Sequence, residues 1–203
     1  MEAQQHGSNG AIYTIGHSTH ELARFLHLLH AHGVATVVDV RSMPYSRWQP
    51  VYNRENIAKE LPQLGIQYLY AGTKLGVRTP DRNCYENGQV VYSRLAKSEP
   101  FLRGVTVLSE LCKQKRIALM CAEQEPLECH RTLLIARHLE TQGIAVNHIL
   151  ADGRLETHQQ AMLRLLALFK MPAEDLFRST EEIIAEACEK QEKRVAWINP
   201  DLV

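Results

Sequence analysis

The chain has 203 residues, of which 45% are hydrophobic and 23% are charged, and these proportions are typical of a globular protein with one buried core. Its 23 Lys and Arg residues balance its 23 Asp and Glu residues, so the formal net charge is zero, which disfavours broad binding to nucleic acid or acidic membranes. No apolar stretch approaches the length of a transmembrane span, and this excludes a membrane-spanning class.

The first ten residues, Met1–Gly10, are polar and lack the cationic start and apolar stretch of a signal peptide. We therefore expect a disordered leader and a cytoplasmic protein. The five cysteines agree with this expectation, because an odd number without a secretory signal does not suggest a disulfide framework.

The first predicted strand covers residues 11–15 and is followed by a helix with a clear start signal. Ser18 and Glu21 form a predicted capping box, in which each side chain satisfies a free backbone donor of the other. Gly33 closes this helix, and residues 35–40 form a second buried strand.

The middle of the chain is less regular. A helix is predicted from about Asn53 to Pro62, because proline ends a helix, and residues 66–70 form a third strand. Residues 71–92 are predicted to be a long irregular stretch, which in compact domains is usually functional or mobile. Pro100 then opens another helix.

The last part of the chain repeats the strand–helix alternation. Residues 116–120 and 144–149 are predicted strands, separated by a helix that ends at Gly143. Thr157 caps a further helix, and a capping box at Ser179 opens an acidic amphipathic C-terminal helix.

Strands that alternate with helices imply right-handed crossovers and a parallel sheet covered on both faces. We therefore predict an α/β fold: a single doubly wound, Rossmann-like domain over residues 11–170, with a mostly parallel five-stranded sheet and helices on both faces. Residues 171–203 are predicted to be a C-terminal amphipathic helical extension, which packs on this domain or on a neighbouring molecule.

Polar residues collect at the carboxyl ends of the predicted strands, where open parallel sheets bind their ligands. They follow the first four strands in order: His17 and Ser18; Asp39 and Arg41; Lys74; Cys121, Glu123, Cys129, His130 and Arg131. Because these ends lie at the same edge of the sheet, we expect one functional cleft there.

Three motifs in this order, Ile12–Ser18, Asp39–Arg41 and Cys121–Arg131, resemble the domain-of-unknown-function family numbered 488. The resemblance covers roughly residues 11–150. It implies the fold and the shared site rather than a particular reaction.

A looser resemblance is to rhodanese and the cysteine phosphatases, which place an Asp-x-Arg after an early strand and a nucleophilic cysteine after a later one. Asp39–Arg41 and Cys121 look like these features. In those enzymes, however, an arginine follows the cysteine by a few positions, whereas Arg131 lies ten positions after Cys121. Three glutamates in the intervening loop would also repel a free phosphate or sulfate. We therefore transfer neither sulfurtransferase nor phosphatase activity.

Four residues are candidate catalytic groups. Cys121 leaves a buried strand towards a helix start, which predicts a lowered thiol pKa; an inert buried cysteine is the alternative. Glu123 suits a general base or nucleophile, or else an ion pair with a nearby arginine. Asp39 forms an acid/base pair with Glu123 or orients its neighbours. His17 precedes a helix N-terminus, so we expect a neutral ring that acts as a base or ligand.

Six residues are candidates for substrate binding: Arg41, Arg131, His130, Ser18, Lys74 and Trp48. Arg131 presents a fork of donors for an anion, or pairs with a carboxylate of the protein. His130 is either an acid/base group or a capping donor, and Ser18 reads as a cap rather than a nucleophile. Trp48 lies among tyrosines and arginines that can stack a flat ring, or pack on their own domain.

Metal binding is an open alternative for the same cleft. Cys121, Cys129, His130 and His17 are of the types that bind zinc or iron, although their spacing is not that of a close Cys-x-x-Cys knuckle. No G-x-G-x-x-G and no Walker-type run follows a strand, so the sequence has no nicotinamide or P-loop signature, and the cofactor is unknown.

These features predict an enzyme that acts on a small anionic or nucleotide-like substrate by hydrolysis or group transfer. The local excess of seven Lys and Arg over three Asp and Glu in residues 41–82 supports an anionic ligand. One alternative is a non-catalytic module that binds a ligand, a metal or haem; another is a nucleic-acid-processing accessory protein. The C-terminal helix also allows a homo-oligomer.

Overall fold

The sheet was located in a computed structural model, which describes residues 10–203; the predicted leader lies outside the described residues, apart from Gly10. These residues contain eight strands: β1 (Ile12–Gly16), β2 (Thr36–Asp39), β3 (Gln67–Tyr70), β4 (Tyr85–Glu86), β5 (Gln89–Val90), β6 (Ile117–Cys121), β7 (Val146–Ile149) and β8 (Leu155–Thr157). Six of them form one sheet in the order β3-β2-β6-β1-β7-β8. The first five in this order are parallel, and β8 is antiparallel to β7.

The predicted α/β class and mostly parallel sheet are therefore confirmed, but the predicted number of five strands was too low. The missed strand, β8, has three residues and forms after a tight turn, in which the Leu150 N–H donates to the Arg154 carbonyl at 2.9 Å. Its Leu-Glu-Thr sequence has no apolar run to mark it. Backbone pairing with β7, rather than burial, makes it a strand.

Residues 10–203 contain eight α-helices, of which the first six lie between strands and the last two follow β8: α1 (Leu22–Ala31), α2 (Arg54–Gln63), α3 (Gly72–Leu75), α4 (Tyr92–Leu95), α5 (Glu99–Gln114), α6 (Arg137–Thr141), α7 (His158–Leu168) and α8 (Thr180–Val195). A π-helical stretch, Arg131–Ala136, leads directly into α6. Each helix of the described chain is too short or too polar to cross a bilayer.

Helices cover both faces of the sheet, as its central strand shows. All five residues of β6 are buried, and successive side chains point to opposite faces. Ala118 and Met120 pack in the core formed with α1 and α2, whereas Ile117, Leu119 and Cys121 pack in the core formed with α5 to α8. Cys121 thus leaves the strand on the side of the later helices.

The predicted C-terminal extension packs on the same chain. A capping box at Ser179 begins α8, as predicted, and the inner face of this helix lies against α7. Its buried apolar residues, Ile183, Ala187 and Cys188, belong to the larger of the two cores. The helix therefore positions the residues that follow it.

The residues that follow α8 pair with a small hairpin formed by β4 and β5. Asn87 and Gly88, both with positive φ (47° and 77°), form the turn between β4 and β5. The Val90 N–H donates to the Trp197 carbonyl at 3.0 Å, and the Asn199 N–H donates to the Gly88 carbonyl at 2.8 Å. The pairing brings Trp197 to the carboxyl edge of the main sheet.

The capping box predicted at Ser18 is wrong. The helix α1 begins at Leu22, with Glu21 in the N-cap position and without a side-chain cap. The Ser18 N–H donates to the Ala122 carbonyl at 2.9 Å, its φ is 45°, and its hydroxyl donates to Gln124 Oε1 at 3.3 Å. A contact with the loop after β6 therefore replaces the local cap.

Candidate functional site

A cavity of about 260 Å³ lies beyond the carboxyl ends of β2 and β6. Its polar and aromatic lining residues come from five parts of the chain: Arg41 and Ser42; Arg78; Tyr92; Cys121, Glu123, Glu128 and His130; and Trp197. The cavity is at the edge of the sheet that the sequence predicts for the functional cleft. We call it the cleft cavity.

Two glycines allow the loops around the cleft cavity to approach closely. A Cβ atom on Gly16 would lie 1.9 Å from the Glu123 carbonyl oxygen, and one on Gly72 would lie 2.0 Å from the Arg41 carbonyl oxygen. Both neighbours are backbone atoms, which cannot move aside like the end of a side chain. Only glycine at these positions lets the loops after β1 and β3 reach those after β6 and β2.

Arg41 forms a buried two-point ion pair with Asp39. Its Nε donates to Oδ1 at 2.9 Å and its Nη2 donates to Oδ2 at 2.7 Å, and the Tyr68 hydroxyl donates to Oδ2 at 2.7 Å. Asp39 is fully buried at the end of β2, between β3 and β6. The pair fixes the guanidinium at the cavity wall and neutralises its charge there.

His17 completes this network. Arg41 Nη1 donates to His17 Nε2 at 3.0 Å, so Nε2 is the acceptor and the Nδ1–H donates to the Ser18 carbonyl at 3.0 Å. The ring stacks on Tyr52, with centroids 4.2 Å apart. Burial and the positive charge of Arg41 lower the pKa of His17 to about 4, so the ring is neutral. These two causes, rather than a helix dipole, hold it in that state.

Cys121, Cys129 and His130 come together beside this network, all three buried. His130 Nδ1 lies 3.7 Å from Cys121 Sγ and 3.9 Å from Cys129 Sγ, and the three donor atoms are within 4.8 Å of one another. His130 Nε2 lies 3.2 Å from the Val40 carbonyl and can only donate to it, so in the neutral ring Nδ1 carries the lone pair. The structure thus brings together three of the four predicted metal ligands, whereas the fourth, His17, is hydrogen-bonded to Arg41.

The thiol nearest a helix start is Cys129, not Cys121 as the sequence predicts. The Cys129 carbonyl accepts from the N–H groups of Thr132 and Leu133, and its sulfur accepts from the Arg131 N–H at 3.4 Å. Burial alone would raise the pKa of Cys129, but the Cys121 thiol and Arg131 hold it well below its ordinary value. Burial and Cys129 raise the pKa of Cys121, which corrects the expected lowering.

Glu123 contacts a thiol rather than an arginine side chain. The residue is exposed at the mouth of the cleft cavity, yet its Oε2 accepts from Cys129 Sγ at 3.1 Å. Atoms packed around the carboxyl, together with the Cys129 sulfur, raise the pKa of Glu123. The carboxylate therefore lies between the cavity and the cluster of Cys121, Cys129 and His130.

Arg131 holds the loop that carries Glu123. It is fully buried, and it donates from Nη1 to the Glu123 carbonyl at 2.6 Å and from Nη2 to the Gln124 carbonyl at 3.0 Å. These backbone contacts replace the carboxylate pairing that the sequence analysis considered. The guanidinium does not line the cleft cavity.

The remaining predicted residues lie outside the cavity. Lys74 is exposed on α3, and Trp48 is 86% exposed in the loop after β2. Arg78, Tyr92 and Trp197 are among the lining residues that sequence reasoning missed. Arg78 and Tyr92 lie in the irregular stretch of residues 71–92, whose length suggests function. Trp197 carries no local signal, since its pairing with the distant hairpin brings it to the cleft.

A larger open groove of about 1050 Å³ adjoins the cleft cavity and shares Glu123 and Glu128 with it. Its other charged residues are Glu125, Asp152, Arg154, Glu156 and Arg164. Both arginines are in ion pairs with these carboxylates. The groove is therefore acidic, while the opposite side of the cavity carries Arg78.

The family comparison agrees with these motifs. The sequence profile of a domain of unknown function, DUF488, matches residues 21–138. This match spans more than half of the chain, including β2, β6 and the cluster of Cys121, Cys129 and His130. No curated protein and no solved structure matches the chain. The chain belongs to the DUF488 family, and the cleft cavity lies largely within the part that defines it.

Proposed function

We propose that the protein is an enzyme that carries out hydrolysis or group transfer on a small anionic or nucleotide-like substrate in the cleft cavity. The observation that carries the proposal is the meeting of Glu123, His130 and two arginines at one cavity beyond the strand ends. A carboxylate and an imidazole are the groups that most often move protons in such sites.

Arg78 is the cation best placed to bind an anionic group. Its guanidinium lies 5.0 Å above the Trp197 ring, and no carboxylate within residues 10–203 forms an ion pair with it. Arg41, by contrast, is neutralised by Asp39. Because the adjoining groove is acidic, an anionic group would bind on the Arg78 side of the cavity.

The dimensions of the cavity limit what it encloses. A volume of about 260 Å³ corresponds to roughly nine water molecules at about 30 Å³ each, enough for one ring or a sugar phosphate. Trp197 and Tyr92 provide flat apolar surface for a ring. The rest of a nucleotide would extend into the open groove.

Glu123 is the proposed general base, because its carboxylate is at the cavity mouth, where it can take a proton from water or an acceptor hydroxyl. Asp39 and His17 act through Arg41, whose orientation they fix. They are positioning residues in this proposal.

The test is product formation from a panel of nucleoside monophosphates, nucleoside diphosphates and sugar phosphates, followed by mass spectrometry. We expect turnover of at least one class by the native protein and its loss in Glu123→Gln. Glu110→Gln, which changes an exposed glutamate paired with Lys113 on α5, is the matched control and should keep the activity.

A second pair of variants tests anion binding. Arg78→Ala should raise KM for the same substrate, whereas Arg103→Ala, at an exposed arginine of α5 paired with Glu99, should not. The proposal is overturned if the native protein converts no compound of the panel and none of them raises its Tm. Full activity in Glu123→Gln would overturn the role of Glu123.

A further inference from the structure

We propose that Cys121, Cys129 and His130 form a binding site for one thiophilic divalent cation, for which zinc is the best fit. The site goes beyond the proposed function and does not depend on it, because the geometry of the three donor atoms carries it. Two sulfurs and one imidazole nitrogen select zinc-like ions over magnesium or calcium, which prefer oxygen.

The separations of the donor atoms already suit a tetrahedral ion. With Zn–S bonds of about 2.3 Å and Zn–N bonds of about 2.0–2.1 Å, tetrahedral angles place donor atoms about 3.5–3.8 Å apart. His130 Nδ1 lies 3.7 and 3.9 Å from the two sulfurs. The donors therefore need only small movements to close on one ion.

The surroundings orient the donors as the neighbours of a metal site do. The contact between His130 Nε2–H and the Val40 carbonyl directs Nδ1 and its lone pair towards the two sulfurs. The Arg131 N–H points at Cys129 Sγ. The Val40 carbonyl favours the tautomer of His130 with a free Nδ1 lone pair, and the Arg131 N–H favours the thiolate of Cys129; these are the forms that bind a metal ion.

The charges also balance when the ion is bound. Each thiol loses its proton to solvent as its sulfur binds, so two thiolates neutralise the divalent cation. The buried Arg131 guanidinium, which contacts the Glu123 and Gln124 carbonyls, offsets the nearby carboxylate of Glu123. Binding of the ion to two thiolates therefore adds no net charge to the site.

Three protein donors leave a fourth position, and the structure indicates where it opens. Cys121 and His130 line the cleft cavity, and Glu123 stands at its mouth. A three-ligand site with one open position is typical of catalytic rather than structural zinc. We infer that water occupies this position, with Glu123 beside it.

The experiment uses the full chain, purified under reducing conditions from zinc-supplemented medium. We expect about one zinc per chain by elemental analysis and, after exchange, tetrahedral Co(II) absorption with thiolate-to-cobalt charge-transfer bands. Cys121→Ser and Cys129→Ser should each lose these bands and weaken Co(II) binding by more than about 100-fold. Cys112→Ser, which changes another buried thiol in α5, is the matched control and should keep them.

A second measurement applies if a variant does not fold. Chelation of the native protein should lower its Tm, and added zinc should restore it. The proposal is overturned if the native protein has no stoichiometric metal and gives no charge-transfer bands with Co(II). It is also overturned if Cys112→Ser loses the bands as Cys121→Ser does. Metal binding by a protein that converts no compound of the panel, and whose Tm none of them raises, would refute the proposed function and leave this site intact.

Discussion

Arg41 donates two hydrogen bonds to Asp39, from Nε to Oδ1 at 2.9 Å and from Nη2 to Oδ2 at 2.7 Å, and both side chains are almost completely buried. The Arg41 backbone N–H also donates to Oδ1 at 3.1 Å, so the pair fixes the chain as well as the side chain. Breaking a buried pair leaves one uncompensated charge. Two residues at the end of β2 therefore bear on both the stability of the fold and the cavity wall.

The first prediction concerns this pair. Asp39→Asn should lower the free energy of unfolding by about 3–5 kcal/mol, because the Arg41 charge stays buried without its counter-ion. Urea denaturation measures the loss. Asp152→Asn, in an exposed pair with Arg154, should leave the urea midpoint unchanged. A similar small effect of both substitutions would show that Asp39 does not hold Arg41.

The second prediction concerns pH. His148 and His158 are buried and in contact at 3.3 Å, and Thr14 Oγ1 lies 2.8 Å from the other nitrogen of His148. Burial lowers the pKa of His158 to about 4, helped by the charge of Arg137. Burial likewise lowers the pKa of His148 well below its ordinary value, helped by His158, Arg131 and Arg164.

Between pH 6.5 and 4 the unfolded chain binds more protons at these histidines than the folded chain, so stability falls as pH falls. The loss from His158 alone should be about 2 kcal/mol at pH 5. His158→Gln should remove this share of the difference in unfolding free energy between pH 7 and pH 5. His27→Gln, at an exposed site, should not; equal pH profiles of the native protein and His158→Gln would contradict the prediction.

The third prediction concerns Gly16. Gly16→Ala should cost about 1–3 kcal/mol or more and displace the Glu123 loop, because its Cβ would lie 1.9 Å from a backbone oxygen. Gly65→Ala meets nothing within 4 Å, but its φ of 76° costs about 1 kcal/mol. Thermal and urea unfolding compare the two. Only Gly16→Ala should also weaken Co(II) binding, and equal Co(II) affinities would rule out a shift of the loop.

The fourth prediction separates the two tryptophans. Trp197 is half-buried at the cavity wall, so Trp197→Ala should lower the free energy of unfolding by about 1–3 kcal/mol. Trp48 is 86% exposed, and Trp48→Ala should leave stability unchanged. Urea denaturation followed by circular dichroism measures both. A larger loss of unfolding free energy in Trp48→Ala than in Trp197→Ala would contradict the placement of Trp197 at the cavity wall.

Local patterns predicted the fold well where burial alone decides the structure. The buried strands β1, β2 and β6 appear in the sequence as apolar runs, and the capping box at Ser179 forms as predicted. The box at Ser18 fails because the loop after β6, distant in sequence, takes its backbone N–H. Local preference decides a helix start only where no tertiary contact competes.

The sequence also predicts the candidate site only in part. The strand ends place Asp39, Arg41, Cys121 and Glu123 at one edge, which follows from parallel topology alone. The roles of the two thiols did not follow, because the loop of residues 122–130 delays the helix start. As a result Cys129, rather than Cys121, lies beside the free N–H groups at the start of the helix, and its sulfur accepts from the Arg131 N–H.

The Arg78 guanidinium lies over the Trp197 ring in the lining of the cleft cavity, although more than half of the 203 residues separate the two in sequence. This contact closes a long loop of chain, as the pairing of β1 with β7 also does, so the local sequence does not specify it. Residues 172–180, which join α7 to α8, are exposed. A single proteolytic cut there would leave α8 and Trp197 held only by packing and hydrogen bonds, so release of that segment would open one wall of the cleft cavity.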